Sequence, residues 1–203
     1  MFIRGMRMQT PIDKLDEAIE YLQKQVVPRI RTAPGYFGAV LLADHKTGSG
    51  IEITYWVTAK ALSASERVAT KTVPGAHILN VEKYEIVILD RDKAPKPGEL
   101  VHVNTISGEP LRVDVAAVFM RDKILPLLKS VKGYRAAVMG VDRPTGRCTV
   151  STVWDALTDL DASDGKVSAL SKEAAHAAGA ADVQIEIFEA RAFDFTPAIP
   201  SES

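Results

Sequence analysis

The 203-residue sequence holds a single cysteine, Cys148, which has no partner for an internal disulfide or for a paired-cysteine zinc or redox motif. It also lacks a run of lysine and arginine, and its formal net charge is -1. Proteins that bind nucleic acid or anionic membranes typically carry a basic patch, so we expect neither partner. No apolar stretch is long enough to span a bilayer. Together with the single cysteine, this predicts a cytoplasmic protein.

Short catalytic motifs are missing as well. The chain has no HExxH, HxxxH, GxSxG or phosphate-cradling Gly-Lys-Ser/Thr sequence, which argues against zinc proteases, serine hydrolases and P-loop enzymes. We therefore expect no metal site and no bound cofactor. Apolar residues make up 46% of the chain and charged residues 25%, which is typical of a globular protein with a packed core.

The chain resembles itself at a spacing of 98 residues. This shift aligns Trp56 with Trp154 and gives 13 identities over the 38 positions 28–65, where unrelated sequences give about two or three. Thr47-Gly48 and Thr145-Gly146 are among the identical pairs, and each lies between two apolar runs, as a hairpin turn requires. The pattern predicts an internal duplication.

The duplication divides the chain into a first unit at 1–93 and a second unit at 99–191. Between them, Arg91–Gly98 contains two prolines and a glycine, which disfavour helix and strand and predict a linker. The tail at 192–203 contains two further prolines and ends on Ser-Glu-Ser. We predict that this tail is disordered.

The hydrophobic pattern of each unit predicts the order β-α-β-β-α-β, which is the ferredoxin-like unit with both helices on one face of its sheet. In the first unit the predicted elements are a strand at 2–8, a helix at 12–26, a hairpin of 36–43 and 51–57, a helix at 61–71 and a strand at 84–89. The other sheet face needs cover, so we expect the α+β units to pack sheet to sheet as a dimeric α/β barrel within one chain. Two separate ferredoxin-like domains are the alternative. The chain is then a monomer, complete as a pseudo-dimer, or a homodimer.

Three segments carry a resemblance to a known family: Ala33–Gly38, Ile53–Ser65 and Val81–Val87. They are similar to the turn into strand two, the strand-three tryptophan with the helix opening after it, and the last strand of antibiotic-biosynthesis-monooxygenase-like (ABM) dimeric α/β-barrel proteins. The second unit repeats these features around Tyr134 and Trp154. The resemblance implies a pocket between sheet and helices in each unit. The activities it implies are cofactor-free oxygenation of polycyclic aromatics and oxidative haem breakdown.

The candidate substrate-binding residues are aromatic. Trp56 and Trp154 match the family's strand-three tryptophan, and an indole there either stacks on a flat aromatic substrate or fills core volume. Tyr36 and Tyr134 each follow a glycine at the start of a strand. Each either supplies a phenol to the pocket or packs in the core.

The candidate catalytic residues are Asn104, His77 and His176. Asn104 matches a strand-one asparagine that orients bound ligand in haem-degrading relatives, although an asparagine there also serves as a strand-end cap. The first unit has Met6 at this position, so we expect at most one active pocket. His77 and His176 become equivalent when a one-residue slip is allowed, and each is a haem-iron ligand, a base or a surface histidine.

Two functional hypotheses follow. In the first, the barrel binds a small molecule and is a cofactor-independent monooxygenase of an electron-rich aromatic substrate. In the second, it is a non-catalytic binding or structural protein that has lost the site. Haem degradation is a weaker alternative, because relatives of that type carry a histidine on the second helix, where this chain has Ala64 and Ala162.

Overall fold

The computed structural model of the protein describes residues 1–67 and 72–195. The strands are β1 Phe2–Gln9, β2 Tyr36–Asp44, β3 Ser49–Trp56, β4 His77–Arg91, β5 Leu100–Ser107, β6 Tyr134–Asp142, β7 Arg147–Trp154 and β8 Asp182–Phe195. The helices are α1 Leu15–Tyr21, α2 Val27–Arg31, α3 Ala59–Ser65, α4 Val113–Phe119, α5 Leu125–Lys129 and α6 Leu157–Ala177. No helix within the described ranges is both long and apolar enough to cross a membrane.

The hydrogen-bonded strand order is β1-β3-β2-β8-β5-β7-β6-β4, and this order closes as an antiparallel barrel of eight strands. Each half of the chain contributes four strands in the ferredoxin-like order. The predicted fold class, α+β with two such units in a dimeric-barrel fold, is confirmed.

The chain divides into two compact units. Unit 1 is formed by the described residues of Met1–Glu82 and Arg191–Ser203, and unit 2 is Lys83–Ala190. Both boundaries fall inside a strand, so β4 and β8 each begin in one unit and end in the other. The compact units therefore differ from the sequence repeats, because the repeats exchange the ends of their last strands. The repeats at 1–93 and 99–191 stay a prediction about ancestry.

The predicted start of the disordered tail, residue 192, is too early. β8 continues to Phe195, whose ring lies 5.4 Å from the ring of Tyr55, and Asp194 accepts a hydrogen bond from the Tyr36 hydroxyl at 2.7 Å. These contacts within unit 1 stabilise the last strand residues, whereas the composition alone suggested a loose end. Residues 196–203 lie outside the described part of the chain.

The first helical segment of each unit is interrupted at the same place. A π-helical turn at Leu22–Val26 separates α1 from α2, and another at Met120–Ile124 separates α4 from α5. Pro28 and Pro126 lie two residues after the ends of these turns. Proline has no N–H and clashes with the carbonyl four residues earlier, so the helix widens before it. Every element from β1 to α2 and its counterpart start 98 residues apart, which equals the spacing of the sequence repeat.

The second helices differ between the units. In unit 1 the Thr58 side chain caps α3 by accepting from the N–H of Ala61 at 3.1 Å, and α3 ends at Ser65, earlier than the predicted 61–71; residues 68–71 lie outside the described ranges. In unit 2, α6 runs for 21 residues. Pro74 and Gly75 lie soon after α3 and disfavour a longer helix there, whereas the sequence of α6 contains no proline.

Candidate functional site

Unit 2 contains a cavity of about 460 Å³ between its sheet and its helices. Strands β5, β7 and β8 form its floor, and α6, α5 and the π-helical turn before α5 form its cover. The apolar lining residues are Ile106, Met120, Ile124, Leu128, Val150, Val167, Ala174, Ala175, Val183 and Ile185. The polar lining residues are His102, Asn104, Thr152, Ser163, Asp164, Ser168, Ser171 and Lys172. A mostly apolar cavity of this size with a few convergent polar groups is typical of small-molecule sites.

Strand periodicity explains why two polar side chains stand on the floor. Successive residues of a strand point to opposite faces, so His102, Asn104 and Ile106 share the face of β5 that lies under the helices. Asn104 pairs with Val150 on β7 and with Ile185 on β8. Its half-buried carboxamide makes no hydrogen bond within the described residues, so its donors and acceptor are free for a ligand.

His102 is the histidine of the cavity. Its side chain is 9% exposed, and its Nδ1 lies 3.9 Å from Oδ1 of Asp164 on α6. Burial lowers the pKa of His102, and the nearby Asp164 carboxylate partly opposes this shift. The imidazole is therefore neutral at neutral pH and has a ring nitrogen that can accept a proton.

The predicted aromatic residues of unit 2 lie behind the cavity. Trp154 is fully buried, and its Nε1 donates to Oγ1 of the lining residue Thr152 at 2.8 Å. Tyr134 packs edge-on against this indole at 5.6 Å and donates its hydroxyl to Asp90 at 2.8 Å. Neither aromatic ring is among the lining residues, because both are satisfied within the core. Trp154 thus lies in the core, with Thr152 between it and the cavity, and its substrate-binding role stays a prediction.

Unit 1 repeats this aromatic arrangement. Trp56 is buried, donates to Thr54 at 3.0 Å and meets Tyr36 edge-on at 5.8 Å. The Tyr36 hydroxyl donates to Asp194, as that of Tyr134 does to Asp90. Burial raises the pKa of both phenols, so neither ionises near neutral pH. These side chains are core residues in both units.

A buried ion pair occupies the corresponding floor of unit 1. Arg4 stands where unit 2 has His102, Met6 where it has Asn104, and Glu52 where it has Val150. Nη1 of Arg4 lies 3.9 Å from Oε2 of Glu52, and their side chains are 8% and 1% exposed. Burial raises the pKa of Glu52 to about 7 against the opposing attraction of Arg4. Three positions that line the cavity floor in unit 2 are therefore occupied in unit 1 by a buried arginine–glutamate pair and a buried methionine.

The two predicted histidines lie elsewhere. His77 is exposed at the start of β4 and borders an open cleft of unit 1 together with Thr10, Thr47 and Gly75. His176 is exposed in the last turn of α6 and does not line the cavity. Although His176 is on the second helix of unit 2, it does not line the cavity, and Ala162 occupies the helix position at which haem-degrading relatives carry their histidine. Neither histidine therefore fits the haem site that the resemblance implies.

Sequence reasoning placed Asn104 at the site but missed His102 and Asp164. The i, i+2 spacing of His102 and Asn104 on a strand was a usable signal, since it puts both on one face. Asp164 carried no such signal, because only the packing of α6 on the sheet brings it to His102.

Comparisons with known proteins agree on the fold. No family model matches the sequence. Two uncharacterised proteins of Mycobacterium tuberculosis H37Rv are similar along nearly their whole length. Rv2557 is 25% identical over 194 residues, covering 93% of this chain and 87% of its own, and Rv2558 is 27% identical over 195 residues, covering 93% and 83%.

Three solved structures illustrate the structural similarity. An anthrone oxidase-like protein aligns with a TM-score of 0.71 and 14% identity, covering 100% of this chain and 96% of its own. A ferredoxin-fold protein of Listeria monocytogenes, related to antibiotic biosynthesis monooxygenases, gives 0.56 and 10%, covering 95% and 97%. A haem-degrading enzyme of the same species gives 0.57 and 10%, covering 92% and 98%. The resemblance to ABM-like barrels inferred from the sequence is confirmed at the level of fold.

Proposed function

We propose that unit 2 binds a small aromatic molecule in its cavity and oxygenates it without a bound metal or flavin. The observation that supports this most directly is the cavity of about 460 Å³, in which apolar walls surround a small polar group on the floor. Apolar side chains fit the body of an aromatic ligand, and Asn104 offers a hydrogen bond to one oxygen atom. The similarity to an anthrone oxidase-like protein points to the same chemical class.

The chemistry requires little of the protein. An electron-rich ring system that loses a proton becomes an anion able to reduce dioxygen. When a ring CH₂ becomes C=O, one oxygen atom enters the product, the other leaves as water, and the substrate supplies all four electrons. The cavity contributes by excluding water, by orienting the ring and by hydrogen bonding to the anion through Asn104.

A non-catalytic role is the second candidate, and unit 1 favours it for its own half of the chain. There the Arg4–Glu52 pair and Met6 replace the floor residues of the cavity. We therefore propose one active cavity per chain, in unit 2, with unit 1 as the structural partner. In the non-catalytic alternative, unit 2 has lost its active site as well.

Oxygen uptake with anthrone as the probe substrate tests the proposal. An oxygen electrode should record protein-dependent uptake, and mass spectrometry with ¹⁸O₂ should find one labelled oxygen atom per product. Ala175→Trp places an indole into the cavity and should abolish both signals. Glu173→Trp adds the same group to an exposed position of the same helix and should leave them unchanged.

Two results would contradict the oxygenase. If Ala175→Trp retains full uptake, the reaction does not take place in this cavity. If the wild-type chain binds anthrone, followed by its fluorescence, but consumes no oxygen, the cavity is a binding site alone and the non-catalytic candidate replaces the enzyme.

A further inference from the structure

We propose that His102 and Asp164 form the acid–base pair of the cavity and that they select aromatic ligands carrying an acidic hydroxyl group. This inference rests on the proposed function, since it names the group that generates the substrate anion. In it, His102 takes the proton, Asp164 holds the imidazolium that results, and Asn104 hydrogen-bonds the phenolate oxygen.

The geometry brings the three side chains to one end of the floor. His102 and Asn104 are two residues apart on one face of β5, so their Cα atoms are roughly 7 Å apart. An aromatic hydroxyl between them has the ring nitrogen on one side and the carboxamide on the other. Asp164 approaches His102 from α6 at 3.9 Å, a distance that tightens to a hydrogen bond when the ligand completes the site.

The charges around His102 suit a neutral base that becomes a cation. Among the residues lining the cavity, the other charged groups are Asp164 and Lys172, both on α6. Asp164 faces Nδ1 and stabilises a proton on the ring, whereas burial keeps the imidazole neutral when no ligand is bound. The buried ring thus stays available as an acceptor until an acidic hydroxyl arrives.

The proton transfer balances without a further reactant. The O–H bond of the ligand breaks, its electron pair stays on oxygen as phenolate, and a new N–H bond forms at Nε2 of His102. The charge of the ligand changes from zero to -1 and that of His102 from zero to +1, so the cavity keeps its net charge. The phenolate and the imidazolium form next to each other, and their attraction offsets part of the cost of creating two charges in an apolar site.

The ionisation of bound 4-nitrophenol tests the pair, because only the phenolate of this probe absorbs visible light. Titrating the full chain with the probe from pH 5 to pH 9 gives both the binding constant and the ionised fraction of bound probe. We expect His102→Gln to lower the ratio of bound phenolate to bound phenol at least about tenfold at a given pH, which is one pKa unit. Asp164→Asn should lower it about two- to fivefold, since Asp164 is half exposed.

Matched variants separate this role from a structural one. Asp161→Asn changes an exposed aspartate on α6 outside the cavity, and it should leave the ionised fraction unchanged. His102→Asn is a second replacement, and far-UV circular dichroism checks that each variant is folded. If the ionised fraction is equal in wild type and in a folded His102 variant, the acid–base role of His102 and Asp164 is wrong, and the proposed function is unaffected. Absence of saturable binding of 4-nitrophenol to wild type overturns the selection of acidic hydroxyl ligands, whereas the proposed function fails only if anthrone causes no oxygen uptake.

Discussion

The buried Glu52 of unit 1 should make the protein less stable as the pH rises. Burial raises the pKa of this carboxyl from 4.5 to about 7, and Arg4 opposes the shift from 3.9 Å away. Two unit charges at that distance attract by about 4 kcal/mol at an effective dielectric constant of 20. The desolvation of a buried carboxylate costs several kcal/mol and exceeds this attraction.

The sign follows from proton linkage. The folded chain binds the Glu52 proton more tightly than the unfolded chain, so the associated stability is complete below pH 4.5 and is lost as the pH rises through 7. Between pH 5 and pH 8 the loss amounts to about 2–3 kcal/mol. Glu52→Gln keeps the shape of the neutral acid and should remove this dependence. At pH 8 the variant should be the more stable protein.

Urea unfolding at pH 5, 6, 7 and 8 measures the effect as the difference in free energy of unfolding between wild type and Glu52→Gln. The difference is needed because His102 contributes in the opposite direction. Its pKa is lowered in the folded chain, so its contribution to the free energy of unfolding rises with pH. Glu17→Gln, at an exposed position, is the control and should give a difference independent of pH. If Glu52→Gln is instead less stable by about 3–5 kcal/mol at pH 8, the ion pair outweighs desolvation and the reasoning is wrong.

Three further predictions concern stability and reactivity. Gly35 has φ +79°, and a Cβ built there would lie 2.5 Å from Cβ of Ala61, so Gly35→Ala should lower the free energy of unfolding by about 1–3 kcal/mol. Gly165→Ala, inside α6 with open space around it, should raise the free energy by about 0.5–1 kcal/mol; equal effects in the two thermal melts would contradict this account. Cys148 is buried and its thiol pKa is raised to about 11, so a thiol reagent at pH 8 should label it only as the chain unfolds, and rapid labelling of native protein would refute this.

Local patterns were sufficient for most of the fold. The spacing of 98 residues is visible in the order of the residues alone, whereas the helical period and the turns at Gly48 and Gly146 depend on interactions between near neighbours in the chain. The asymmetry between Asn104 and Met6 was readable too, because it needs only the alignment of the two repeats. How far β4 and β8 extend was not readable, since pairing with strands that are distant in the sequence decides it.

The sequence by itself determined the α+β class, the ferredoxin-like order of each unit and one residue of the cavity. Tertiary structure alone decided that His102 meets Asp164, that Arg4 meets Glu52, and that the matched tryptophans lie in the core. The physical reason is the same in each case. Period and turn chemistry specify which face a side chain occupies, whereas the partner it finds there depends on how helix and sheet pack across many intervening residues.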